Sequence, residues 1–129
     1  MELENSVKHE LTLGNILEIL EADAIVETDD WKETVIASTC ASDLMSDVLT
    51  LVKPNCLLLT GLTSTQVVRT AEIANLKALC FVRGKLPDEE VIELAREINL
   101  PLIATKFSMV ESCGRLYCPR LRGITDFGA

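Results

Sequence analysis

The side chains with the most reactive chemistry in this sequence are its five cysteines, Cys40, Cys56, Cys80, Cys113 and Cys118. Their spacing does not make a metal site. No C-x-x-C pair occurs and the one histidine, His9, stands near the start of the chain, whereas structural zinc sites draw on closely spaced Cys and His ligands. Cys113 and Cys118 are five residues apart, roughly 500° around a helix, so on a helix they point about 140° from each other. Cys56 and Cys80 lie in or beside apolar runs, where a free thiol behaves as a small buried hydrophobe. The expectation is structural thiols and no metal or cofactor. An odd cysteine count also fits a chain held in the reducing cytosol.

Carboxylates offer a second chemistry. Asp43 and Asp47 stand at i and i+4, which on a helix is one face. Such a pair can do acid–base work or hold Mg²⁺. It can equally be a solvated face, with Asp43 in a first turn where the helix dipole favours a negative charge. With no histidine or nucleophile beside them, no catalytic pair is assigned.

The elements that must position these groups follow from periodicity. Residues 12–20 open with a capping threonine and place Leu13, Ile16, Leu17 and Leu20 on one helical face. Short apolar strands are expected at 24–27 and 35–37. Ser42 begins a helix with Leu44, Met45, Val48, Leu49 and Val52 at helical spacing, stopped by Lys53-Pro54-Asn55. Residues 56–59 form a continuous apolar run, as in a strand buried on both faces. Ser64 or Thr65 caps the next helix, and a strand follows at 78–82. Acidic residues after Pro87 open another helix, then a strand falls at 101–104 and Ser108 caps a last helix. Strands alternating with helices of this length define βαβ units. The fold class is α/β: a three-layer α/β/α sandwich with a mainly parallel sheet of four or five strands. Residues 1–129 make one domain, with a core at about 10–118 and a tail at 119–129.

In an open parallel sheet, ligands bind outside the carboxyl ends of the strands. The residues expected there are hydroxyls, glycines and cations: Ser38, Thr39 and Cys40 after the second strand, 60–65 after the third, 83–85 after the fourth and 105–108 after the fifth. Helix N-termini ahead of them present free N–H groups that suit anions. Ser38, Thr60, Gly61, Thr63, Ser64, Arg83, Gly84, Lys85 and Thr105 are therefore the candidate residues for a small anion, an adenine nucleotide among them. The serines also have a plain reading as N-caps, each stabilising by roughly 1 kcal/mol. Arg83 and Lys85 also have a plain reading, as ion-pair partners of Asp88 or Glu89. Neither G-x-x-x-x-G-K-[ST] nor G-x-G-x-x-G occurs, so nucleotide hydrolysis lacks its usual phosphate loop.

Composition excludes several classes. The 129 residues are 48% hydrophobic and 25% charged, the balance of a globular domain. A net charge of −8 argues against nucleic acid, whose phosphates need Lys and Arg in excess. At 4% aromatic there is too little to build a base-stacking surface. No apolar run approaches the roughly 20 residues of a membrane span, and the acidic start lacks a signal core, so a cytoplasmic location is expected. Most of the acidic excess lies in residues 1–105, whereas 106–129 carry Lys106, Arg115, Arg120 and Arg122 against Glu111 and Asp126. Leu116, Tyr117, Leu121 and Ile124 are interspersed there. Residues 113–124 are accordingly expected to pack on the domain or on a second copy, with Tyr117 partly buried and its hydroxyl bonded.

Several runs taken together resemble a branch of the DRTGG-domain proteins: residues 40–49, Leu58-Leu59-Thr60-Gly61-Leu62, residues 66–72, Phe81-Val82-Arg83-Gly84-Lys85 and Cys113-Gly114-Arg115-Leu116-Tyr117. The similarity covers about residues 10–118. It implies an α/β/α domain similar to the N-terminal domain of HPr kinase/phosphorylase. Such modules also occur in some phosphate acetyltransferases and in regulatory regions of CBS-containing pyrophosphatases, where they lie at subunit interfaces. Stand-alone members are often encoded beside iron-only hydrogenase subunits, and no catalytic activity is attached to the module. This chain departs from the pattern in two places. The usual Gly-Asp-Arg after the third strand reads Gly61-Leu62-Thr63, and the Thr-Gly-Gly after the fourth reads Arg83-Gly84-Lys85.

The resemblance implies a non-catalytic regulatory or interaction module, a homodimer, that senses a small anion or nucleotide. The alternative is an accessory redox or assembly subunit of a hydrogenase-type system that uses its cysteines and has a protein partner there.

Overall fold

The computed structural model describes residues 10–117 and the backbone of residues 122–123. The central strand explains the rest. Cys56-Leu57-Leu58-Leu59-Thr60 is buried at every position, so both faces of the sheet must be covered by helices. Its side chains alternate between two cores. Leu58 packs with Met45, Val48, Val67, Val68, Ala71, Val91 and Ala95, while Leu57 and Leu59 pack with Leu13, Ile16, Leu20 and Leu116. Truncating Leu58 to alanine would cost about 2–5 kcal/mol, the range for a buried leucine in a close-packed interior.

In chain order the elements are β1 (Leu11–Thr12), α1 (Leu13–Ile19), β2 (Asp23–Val26), a 3-10 turn (Trp31–Glu33), β3 (Val35–Ile36), β4 (Ser38–Ala41), α2 (Met45–Leu51), β5 (Cys56–Thr60), α3 (Thr65–Ala74), β6 (Ala78–Phe81), α4 (Glu89–Glu97), β7 (Leu102–Ala104), α5 (Met109–Tyr117) and β8 (Arg122–Gly123). The main sheet runs β2-β7-β6-β5-β4-β8; β4 to β8 are parallel and β2 joins β7 antiparallel at one edge. Helices α2, α3 and α4 cover one face, and α1 and α5 the other. The three-layer α/β/α sandwich with a mainly parallel sheet is thus the observed architecture.

Local chemistry sets the helix ends. Thr12 and Asn15 form a reciprocal capping box at α1, with bonds of 3.1 and 3.0 Å. Asp88 caps α4 through the Val91 N–H, and Ser108 caps α5 through the Glu111 N–H. Asn75 and Asn99 take left-handed φ of 58° and 57° just past α3 and α4, and the next residues return bonds to Ala71 and Ala95. A short polar side chain tolerates that conformation better than other non-glycine residues do.

Two expected elements come out differently. Val35–Ile36 leaves the main sheet and pairs antiparallel with Leu11–Thr12. The strand beside β5 is instead Ser38–Ala41, which the polar Ser-Thr-Cys composition conceals. The helix expected from Ser42 begins at Met45, so Asp43 stands in the loop between β4 and α2 and not in a first helical turn. Ser42 makes a local turn, its hydroxyl accepting from Leu44 N–H at 2.9 Å. Tyr117 ends α5 and is 55% exposed in the single chain. Leu116 is fully buried and Arg122–Gly123 pairs with β4. His9, Cys118, Arg120, Leu121 and Ile124 lie outside the described residues.

Candidate functional site

Thr60 ends the central strand fully buried, yet its hydroxyl is polar and must find partners there. It donates to Asp43 Oδ1 at 2.8 Å and accepts from the Leu62 N–H at 3.1 Å. The Gly61 N–H donates to the same Asp43 oxygen, also at 2.8 Å. Asp43 itself is exposed. The Gly61 N–H chiefly, then the Thr60 hydroxyl and the charges of Arg83 and Lys85, hold its carboxyl below the usual carboxylate value despite some desolvation.

Arg83 arrives from the next strand. Residues 82–85 form a tight turn closed by the Lys85 N–H to Val82 C=O bond at 3.3 Å, with positive φ at both central residues, Arg83 at 61° and Gly84 at 70°. A left-handed arginine costs roughly 1–2 kcal/mol relative to the right-handed form. The turn is held by Arg83 N–H to Phe107 C=O at 2.8 Å and Gly84 N–H to Thr105 C=O at 2.9 Å. Arg83 Nη2 lies 3.2 Å, and Asp43 Oδ2 3.5 Å, from the point where a Cβ on Gly61 would stand. A Cβ there would crowd the Arg83 guanidinium and come into ordinary contact with Asp43.

Among the described residues, the ion pairs are those of Arg115 with Glu111 and Glu21. Arg83 and Lys85 therefore do not pair with Asp88 or Glu89; Asp88 is occupied as the cap of α4. Ser64 holds the N-cap position of α3, but its hydroxyl makes no capping bond. The Val67 N–H bonds the Ser64 carbonyl at 3.1 Å, and the N–H groups before it have no intrahelical acceptor. The carboxyl end of β5 and β6 thus brings together Thr60, Gly61, Arg83, Gly84 and Lys85, with Thr63 and Ser64 following β5.

The remaining two candidates go elsewhere. Ser38 begins β4 opposite Cys56, the first residue of β5, and so sits at the amino edge of the sheet. Thr105 is buried, and its hydroxyl donates to Leu20 C=O at 2.6 Å while accepting from the Phe107 N–H at 3.2 Å. That hydroxyl ties α1 to the end of β7. Asp43 is the residue that sequence reasoning placed in the wrong element. The signal that would have found it is its position two residues past a strand end, which is visible only once Ser38–Ala41 is recognised as that strand.

The helices after β6 and β7 lie on opposite faces, which is where an open α/β sheet forms its ligand crevice. Here the Arg83–Phe107 and Gly84–Thr105 backbone bonds close that position. The polar cluster at β4, β5 and β6 is displaced from it by one strand.

Among the described cysteines, Cys40, Cys56 and Cys80 are buried and Cys113 is half-buried. Burial pushes Cys40 up to about 11 and Cys80 up to about 12, and it raises Cys56 and Cys113 as well. Cys40 and Cys56 are offset by one strand and two residues. Their Cα atoms are therefore roughly 8 Å apart, from a strand spacing of ~4.8 Å and a rise of ~3.3 Å per residue, which exceeds the ~7 Å reach of a disulfide. Among the described residues no group of three or more His, Cys, Asp or Glu is placed to hold a metal ion, and no helix is long and apolar enough to cross a membrane.

These features define a class: an α/β/α domain with a small polar cluster, two unpaired cations and an internally bound carboxylate at one sheet edge. The DRTGG domain model matches residues 15–116, and the chain belongs to that family. A similar solved structure is the crystal structure of the CBS and DRTGG domains of the regulatory region of Clostridium perfringens pyrophosphatase, complexed with its activator diadenosine tetraphosphate. The two share 21% identity at a TM-score of 0.70, over 85% of this chain and 47% of that one. The chain thus spans about half the length of that crystallised chain, and the likeness is one of fold. No curated protein is similar enough to count as a relative.

Proposed function

We propose that this protein is a non-catalytic regulatory module that binds a small anion at the carboxyl ends of β5 and β6, with adenine nucleotides as the first class to test. The observation that carries this reading is the pair of unpaired cations, Arg83 and Lys85, beside the Thr60–Gly61 donors. The turn that carries them is fixed by backbone bonds to Phe107 and Thr105, so both charges are presented at this edge without an ion-pair partner of their own. The activator complexed with the pyrophosphatase regulatory region is an adenine dinucleotide polyphosphate, which has the charge and the class this edge would take.

The test is thermal unfolding with ATP, diadenosine tetraphosphate, pyrophosphate and phosphorylated metabolites at matched ionic strength. A ligand at ~100 Kd adds about 2.7 kcal/mol to the native state and raises the Tm accordingly. A Tm unmoved by every anion at millimolar concentration ends this reading.

The module is further proposed to act as a homodimer in the cytoplasm, which requires burial of roughly 1,600 Å² between copies. Sedimentation at micromolar concentration should show twice the 14.2 kDa chain mass. A single-chain species removes the dimer. Iron and visible absorbance after anaerobic purification would replace the module with the redox-subunit alternative.

A further inference from the structure

We propose that Asp43 is a built-in competitor for the ligand: its carboxylate occupies the Thr60–Gly61 donor pair, and an incoming anion binds by displacing it. This rests on the anion-binding reading above and adds how that site is regulated.

Both donors aim at one oxygen, Asp43 Oδ1, at 2.8 Å each. A phosphoryl oxygen makes the same demand on an N–H and an O–H as a carboxylate oxygen, an anionic acceptor at about 2.7–2.9 Å. The donors stand at the end of the central strand, and Arg83 Nη2 and the Asp43 carboxylate both approach the same glycine. Yet among the described residues Arg83 and Asp43 form no close ion pair, and the cation acts on the carboxylate only at longer range. A contact built only to hold Asp43 would close that pair. Instead the cation stands open beside the occupied donors. An anion attracted by Arg83 and Lys85 would be repelled by a carboxylate that stayed in place, so the two negative groups exclude each other.

Asp43 is also free to leave. It is exposed, and the neighbouring Leu44 is 58% exposed, so no buried apolar side chain moves with the loop. Beyond the two Oδ1 bonds the loop is held by Ser42 N–H to Leu59 C=O at 3.1 Å, by local Ser42–Leu44 bonds, and at its far end by the Asp47 and Val48 N–H groups donating to Leu44 C=O. Displacement therefore opens the loop that leads into α2 and leaves the sheet unchanged. The apparent affinity of such a site is the intrinsic affinity reduced by the fraction of molecules in which Asp43 is out.

The experiment is calorimetric titration with sodium tripolyphosphate, without divalent cations and at fixed ionic strength. The proteins are the wild type, Asp43→Asn, Asp43→Ala, Arg83→Ala and the charge control Asp47→Asn. Asp43→Ala should bind about tenfold tighter than wild type, the effect of removing a competitor that fills about nine sites in ten, and Asp43→Asn, whose amide oxygen still accepts from both donors but carries no charge, should fall between the two. Asp47→Asn should match wild type and Arg83→Ala should bind more weakly. In ¹⁵N–¹H spectra of the wild type, saturating tripolyphosphate should move the Gly61 amide away from its carboxylate-bonded position. If the Asp43 variants bind no tighter while Arg83→Ala still weakens binding, the competitor is wrong and the anion site stands. If Asp47→Asn tightens binding as much as Asp43→Asn does, net charge explains the gain and the competitor is again overturned. If no variant binds tripolyphosphate, both readings fall. Should Asp43→Ala fail to fold, the Gly61 amide of the wild type decides: an amide unmoved at saturating tripolyphosphate overturns the competitor.

Discussion

Thr105 and Leu20 lie 85 residues apart in the chain and 2.6 Å apart in the fold, where the threonine hydroxyl donates to the leucine carbonyl. Leu20 is the C-cap of α1, so its carbonyl is one of the helix-end acceptors with no partner inside the helix. Thr105 supplies that partner from the end of β7 and thereby fixes α1 against the sheet.

Thr105→Val keeps the shape and removes the donor. It should lower the free energy of unfolding by about 1–3 kcal/mol, the cost of leaving a buried group unpaired, as read by urea titration. The stabilisation by a bound anion should be unchanged relative to wild type. Loss of that response with unaltered stability would return Thr105 to the ligand site.

Two glycine-to-alanine changes should have opposite signs. Gly84 has φ of 70° and open space where a Cβ would stand, so Gly84→Ala costs only backbone strain, roughly 1 kcal/mol. Gly114 lies within α5, also with open space, so Gly114→Ala should stabilise by about 0.5–1 kcal/mol. Urea midpoints of the two variants test the pair.

The depressed carboxyl of Asp43 makes a pH-dependent contribution to stability. A group whose folded pKa lies below its unfolded one stabilises fully above the unfolded value, and that stability is lost as pH falls through the folded one. Wild type should therefore lose stability more steeply than Asp43→Asn below about pH 4, the ordinary range for an aspartate. Parallel denaturation series of the two proteins between neutral pH and pH 2 read the difference. Coincident slopes would show that Asp43 is not held by Gly61 and Thr60 in solution.

Cys40, Cys56 and Cys80 should resist thiol reagents in the native protein. All three are buried and burial raises their pKa values, so almost no thiolate is exposed at pH 8. Mass mapping after brief alkylation should find these positions unmodified, and fully modified once the protein is unfolded in urea. Fast native labelling of Cys40 would favour a redox role.

The sequence by itself determined the layered architecture. The Cys-Leu-Leu-Leu run of β5, the apolar faces of α3, α4 and α5 and the caps at Thr12, Asp88 and Ser108 are local signals. Burial of an apolar face and satisfaction of a helix-end N–H depend on neighbours a few residues away. Only the tertiary structure decided that Ser38–Ala41 is a strand, since its polar residues become one by pairing with β5 and not by their own preference. The same holds for Val35–Ile36, which a partner 24 residues earlier draws out of the main sheet. It also decided the fates of Asp43 and Thr105. A polar side chain at a sheet edge is directed by whichever donor or acceptor the fold brings within 3 Å, and that partner has no fixed place in the sequence.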